Sequence, residues 1–331
     1  MTAETRTPLL PARRSGRVKG LAKRFGTEEV WAKATAPVAL LAIVILFSIA
    51  SPRFFTAANL SGMLADSTIP VVLALGATFA VALAGIDLSL AATVALGSVT
   101  MGLAYQQGWP LIVCVLVAIA TGVAVGAFNG VFVGWVRIPD FIVTLGTLSL
   151  VMGLALILST GVPVQMREPA LTFISTQSLF GIRYNILIAI GIAVILHVVL
   201  FHTRFGTHLL AVGDNADAAK AMGLKVARIK LAGYMLCGTM GGVAAVLLTS
   251  YIGSSQPAAN TDYLLKAIAA VVLGGVSLFG GRATIIGPVL GAILLTFLQS
   301  GLTLLGVSAF YSPLVIGIVV IAAATLMRGR K

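Results

Sequence analysis

Acid–base or ion-coupled chemistry in this sequence would fall first to its ten carboxylates: Glu4, Glu28, Glu29, Asp66, Asp87, Asp140, Glu168, Asp214, Asp217 and Asp262. None sits in the middle of an apolar run, where a proton- or sodium-coupled carrier needs ionisable or ion-coordinating groups. No G-x-x-x-x-G-K-[ST] loop is present to cradle ATP phosphates, and there is no HExxH, nucleophile elbow or close carboxylate pair. Cys114 and Cys237 lie inside apolar runs without metal-ligand spacing, so they read as buried packing thiols. The expectation is a chain that is not an enzyme and holds no metal or cofactor. Any work it does must draw energy from a different chain.

The elements that position these residues are apolar. Hydrophobic side chains make up 59% of the 331 residues and charged ones 10%, against about 25% in a typical soluble domain. Too little polar surface remains to face water, so lipid must surround most of the protein. The 36 glycines suit close helix packing in a bilayer. A formal charge of +12 suggests nucleic acid, but its placement argues against that partner. Eight basic residues fall in the first 33 positions, five between Arg204 and Lys230, and three at the end, Arg328, Arg330 and Lys331. Basic clusters flanking apolar spans are the positive-inside signal of a cytoplasmic face.

A transmembrane helix needs about 20 apolar residues. That length predicts an all-α, polytopic membrane helical bundle of about ten spans, with N- and C-termini cytoplasmic. The spans fall near 34–50, 69–86, 89–106, 110–135, 141–160, 184–201, 231–252, 263–280, 283–306 and 312–327. Residues 1–33 form a basic cytoplasmic tail and 34–331 a single transmembrane domain. The stretch 56–66 reads as a separate interfacial helix. With this parity 18 of the 22 Lys and Arg residues are cytoplasmic. The sizeable outer loop is 161–183. Both halves also carry a Gly-rich interruption between two apolar segments, "GIDLSLAATVALGS" and "GGVSLFGGRATIIGPVLGA". Paired interruptions of this kind point to repeat architecture.

The long cytoplasmic connection 202–230 contains Asn215, a good helix N-cap, then Ala216–Met222, then Gly223 as a left-handed stop. It is either a solvated joint between halves or a docking helix that a motor protein grips. Among polar residues near spans, Asp87 with Ser89 suits an N-cap as well as a pathway. Asn129, Thr144, Thr147 and Gln299 suit solute hydroxyls or helix–helix hydrogen bonds equally. Asp262 lies four residues before Lys266, the spacing of an ion pair.

Five segments, in order, resemble the ribose/xylose/galactose-type ABC transporter permeases. They are "GIDLS" (85–89), "NG" followed by "IPDFIVTLGTLS" (138–149), "AVGDNADAAKAMGLKV" (211–226), "AIAAVVLGGVSLFGG" (267–281) and "GLTLLGVS" (301–308). The resemblance covers about residues 35–327. It implies a sugar permease of the bacterial inner membrane. Its implied partners are a cytoplasmic ABC ATPase subunit, a periplasmic solute-binding protein and a second permease copy; loop 161–183, being the sizeable outer loop, is the candidate surface for the binding protein. On that resemblance Gly213, Asn215, Ala218, Ala219 and Gly223 match the ATPase-coupling segment. Asp214 stands within it where relatives often carry Gly. Asp87, Asn129, Thr144, Thr147 and Gln299 are the candidate translocation path.

Overall fold

Glycine and proline decide where the apolar runs break into separate helices. The computed structural model describes residues 36–258, 261–311, 313–319 and 321. The expected basic tail, much of the expected span 312–327 and the three terminal basic residues lie outside them. The helices are α1 (Ala36–Ala50), α2 (Ala57–Ala82), α3 (Leu90–Gln106), α4 (Leu111–Val131), α5 (Asp140–Ser159), α6 (Pro169–Thr176) and α7 (Tyr184–His202). They continue with α8 (Arg204–Asp214), α9 (Ala216–Ala221), α10 (Val226–Ile252), α11 (Thr261–Leu273) and α12 (Ile286–Leu304). A further helix, α13, covers 313–319. One tight hairpin, β1 (Ser178–Leu179) with β2 (Ile182–Arg183), joins α6 to α7.

Six of these helices, counting α4 with its extension to Val136, are long and apolar enough to cross a membrane. Three of the ten expected spans correspond to shorter helices among the described residues, and the tenth, 312–327, lies largely outside them. α1 and α3 fall just under that length, and α11 stops at Leu273 because Gly274–Gly275 turns the chain, Gly275 at φ 78°. The stretch 56–66 is not a separate interfacial helix. Thr56 caps it by accepting from the Asn59 N–H, and the helix then runs without interruption through Pro70 to Ala82. Nothing breaks the chain at the polar-to-apolar boundary, and tertiary burial outweighs the change in composition.

Burial sorts the helices into a centre and a periphery. In the most apolar window of α2 89% of residues are buried, in α10 67%, and in α7 only 22%. α2 is buried on every side from Ser67 to Ala82, as is α3 from Leu90 to Val99. A helix that is apolar all round belongs in an interior, whereas α4, α5 and α7 keep wide apolar faces outward. α10 packs most extensively on α4, then on α2 and α3. The α4–α10 contact is made by glycine. On α4, Gly122, Gly126 and Gly130 recur every fourth residue, and each faces the α10 backbone. A Cβ at Gly126 would strike the Tyr234 carbonyl, and one at Gly238 the Gly122 carbonyl. Small residues at this spacing let two backbones touch.

Gly126→Leu should therefore force the central pair apart, an overpacking penalty of about 1–3 kcal/mol, and lower the melting temperature of the detergent-purified protein. A Cβ at Gly146 on α5 would meet nothing within 4 Å. Gly146→Ala should hold or slightly raise that temperature in the same thermal-shift assay, since alanine favours a helix interior over glycine.

Candidate functional site

The chain between α2 and α3 reverses through a strained turn. α2 ends when the N–H groups of Leu83 and Gly85 both return to the Ala80 carbonyl. Ala84 then takes φ 60°, a left-handed conformation that costs a non-glycine residue about 1–2 kcal/mol. Gly85 follows because a Cβ there would collide with the Tyr234 hydroxyl. The first turn and a half of α5 holds what comes next. The Ile86 N–H donates to Asp140 Oδ2, and Thr144 Oγ1 donates to the Ile86 carbonyl at 3.0 Å.

Asp87 turns inward and is buried. Its Oδ1 accepts from the Ser89 N–H at 2.9 Å and from Ser89 Oγ at 2.6 Å. Ser89 Oγ in turn accepts from Asn129 Nδ2 at 2.9 Å, and the Cys237 thiol also faces the carboxylate. The hydrogen-bond donors gathered at Asp87 are thus neutral, from Ser89 at the start of α3 and Asn129 on α4. Ser89 occupies the N-cap position of α3, yet it makes no side-chain bond to a helix amide, because its hydroxyl is committed to Asp87. Three buried polar atoms near this knot have no hydrogen-bond partner among the described residues: Asn129 Oδ1, Thr147 Oγ1 and the Tyr234 hydroxyl.

The second interruption, residues 274–285 between α11 and α12, reaches the same place from the other half. Gly280 and Gly281 take φ 78° and 72°, and the Gly281 N–H donates to the Ala82 carbonyl at 3.1 Å. The end of α8 completes the junction. A Cβ at Gly213 would strike the Ala82 carbonyl, and one at Gly281 would sit 2.7 Å from Asp214 Cβ. Three backbones therefore meet with no side chain between them. One residue later Asn215 caps α9, accepting from the Ala218 N–H at 2.9 Å. Gly223 closes it at φ 86°. Ala219 is buried, while Ala218, Ala221 and Met222 point outward.

The structure thus joins Gly213 and Asp214 to both interruptions and hangs the capped helix containing Ala218 and Ala219 directly from them. It brings Asp87, Asn129 and Thr144 together around the first interruption, with Thr147 one turn further along α5. Gln299 is elsewhere: it sits on α12, where Lys266 Nζ donates to its Oε1, with Asp262 and Asp66 close enough to act on that charge. Sequence reasoning missed α8, Tyr234 and the capture of Ile86 by Asp140. The glycines at 280–281 were visible only as an interruption, with no sign of the backbone they would meet.

Residues 59–324 match the protein family described as branched-chain amino acid transport system / permease component. The ribose import permease protein RbsC of Escherichia coli K12 is 35% identical over 319 residues, 93% of this chain and 97% of that protein. The autoinducer 2 import system permease protein LsrC of Yersinia enterocolitica is 35% identical over 287 residues, 87% of this chain and 80% of its own length. The chain belongs to this permease family. It is a multi-pass protein of the bacterial inner membrane, and the motif resemblance to ribose-type ABC permeases extends over nearly all of it. Within the permease, the five segments carrying that resemblance include both interruptions and the α8–α9 connection that joins them.

If Asp87 and Asn129 belong to one knot, Asp87→Ala and Asn129→Ala should not be additive in stability. A double-mutant cycle on the purified permease should give a coupling of about 0.5–3 kcal/mol. Asp87→Ala combined with Gln299→Ala should add within about 0.5 kcal/mol, since Gln299 shares no partner with it.

Proposed function

We propose that this permease imports a sugar of the ribose, xylose or galactose kind, without chemical change to it, on energy from a separate ATPase. The supporting observation is the identity to the ribose import permease over nearly the full length of both chains. A sugar's hydroxyls demand a protein-lined route, because each one buried without a partner costs about 2–7 kcal/mol. In this reading residues 34–331 form one permease domain of ten crossings with both termini in the cytoplasm. The basic connections near Arg137, 203–225 and Arg282 then share the inner face.

The ATPase grips the permease at α9. Asn215 and Gly223 hold that helix closed at its two ends, Ala218 offers a small outward surface to a groove, and Gly213 and Asp214 pass its movement to both interruptions. Asp87, Asn129, Thr144 and Thr147 act at the inner constriction of the route, where the unpartnered Asn129 and Thr147 oxygens are available to solute hydroxyls once the knot opens. Gln299 serves a different point on the route, with Lys266. At the opposite face, 163–166 pairs with 253–256 through the Met166 N–H to Gly253 and Ser255 N–H to Val164 bonds. A solute-binding protein docks there, over loop 161–183 and its hairpin. Two copies of the permease enclose the route.

Proteoliposomes containing the permease, its ATPase and its binding protein test this. Labelled ribose, xylose or galactose should accumulate only with ATP. Asn215→Ala should remove a cap worth about 1 kcal/mol and reduce ATP-coupled uptake about fivefold without reducing the amount of folded permease. Uptake of autoinducer 2 with none of the three sugars would reassign the solute. ATP-independent uptake would overturn the coupling reading altogether.

A further inference from the structure

A cleft of about 630 Å³ opens beside α9. One wall is the segment after α4, where residues Phe132–Val136 widen into a π-turn. The other wall is Lys220 on α9 and the first turns of α10. Arg137, Lys220, Lys225, Arg228 and Lys230 all line it, against two carboxylates, Asp140 and Asp217. Asp140 also accepts the Ile86 N–H, and the five cations still outnumber the two carboxylates by three. Arg137 is placed there by a left-handed backbone, φ 62°, directly after the π-turn.

The cationic wall adjoins an apolar one. Trp135 lines the cleft and is half exposed. Phe128 and Val131 lie seven and four residues before it, and both are exposed on the outer side of α4. That spacing keeps them on Trp135's side of the helix, so an apolar stripe runs from the membrane-facing surface of α4 to the cleft mouth. Tryptophan at the end of such a stripe marks a bilayer–water boundary.

We propose that this cleft holds the headgroup of an anionic phospholipid, its acyl chains lying along the Phe128–Val131–Trp135 stripe. Clustered Lys and Arg between membrane helices complement a phosphodiester charge, and Arg137 and Arg228 supply planar donors matched to phosphate oxygens. A soluble phosphate would satisfy the cations but leave the stripe unused, and an acidic partner surface would not need it either. The lipid bears on transport because the same cleft is lined by Leu83, Ala84 and Gly85 of the first interruption and by Ala216 and Lys220 of α9. Occupancy would brace the elements that the proposed coupling moves. The proposal rests on the functional reading only for which leaflet supplies the lipid.

Native mass spectrometry of the full permease in mild detergent, offered equal phosphatidylglycerol and phosphatidylcholine, tests it. Phosphatidylglycerol should be retained selectively, and Arg137→Gln or Arg228→Gln should each lower its retention about fivefold. Arg53→Gln, an equal loss of charge outside the cleft, should not. Monodisperse elution of each variant guards against misfolding, and Arg228→Lys should restore part of the retention. Unchanged selectivity in both cleft variants overturns the proposal, as does displacement of the lipid by millimolar inorganic phosphate. Loss of ATPase co-purification with lipid retention intact would assign the cleft to that subunit instead. Labelling of a cysteine placed at Lys220 in intact and permeabilised cells reports the orientation separately, so an error there is distinguishable from failure of lipid binding.

Discussion

A helix interrupted at the end of a tightly packed bundle frees backbone N–H and C=O groups, and those turned toward the interior must find protein partners. This constraint shapes the centre of the permease. The turn after α2 meets it with side chains: Asp140 for the Ile86 N–H, Thr144 for the Ile86 carbonyl, Asp87 for the Ser89 N–H. The turn after α11 meets it with backbone, the Gly281 N–H on the Ala82 carbonyl. The two solutions are not independent, because Ala82 is the last residue of the helix whose end the first set holds.

Mechanical consequences follow from the glycines at that junction. Gly213, Gly280 and Gly281 each approach a neighbouring backbone so closely that a single methyl would collide. Interiors packed to this degree transmit displacement instead of absorbing it. In the proposed coupling, a helix attached one residue beyond Gly213 and Asp214 would act as a lever on both interruptions at once. The proposed docking of an ATPase on α9 needs such an attachment, since a flexible joint between halves would dissipate the push.

The general architecture was legible in the sequence because composition and span length are sums over many residues. α9 was legible as well: Asn215 and Gly223 are punctuation with strong local meaning, and the structure caps and stops the helix at those two residues. What escaped depended on contacts between distant segments. α8 has Gly206 and Gly213 in an otherwise moderately polar stretch, which reads as loop until Gly206 is seen against the Leu200 carbonyl. The stretch 56–66 was separated from α2 by its polarity, although burial and the Thr56 cap keep it in one helix. Asp87 divided between cap and pathway because neither reading included Asn129, forty-two residues away, as a neighbour. Gln299 was grouped with Asn129 by side-chain chemistry alone, and nothing in one sequence places α12 apart from α4.

The distribution of hydrogen bonding bears on how such a bundle changes state. Around Asp87 the donors converge on its carboxylate and on Ser89 Oγ, yet Asn129 Oδ1, Thr147 Oγ1 and the Tyr234 hydroxyl are buried with no partner among the described residues. A buried polar atom left unpaired costs about 1–3 kcal/mol, so these three atoms place such a cost near the first interruption, while Ser48 Oγ on α1 carries another. The opposite face shows the reverse, with 163–166 and 253–256 tied by backbone bonds and Ser255 Oγ accepting from the Val164 N–H at 2.8 Å. The unpartnered oxygens therefore lie near the interruption to which α8 delivers α9, the helix that the proposed coupling would move.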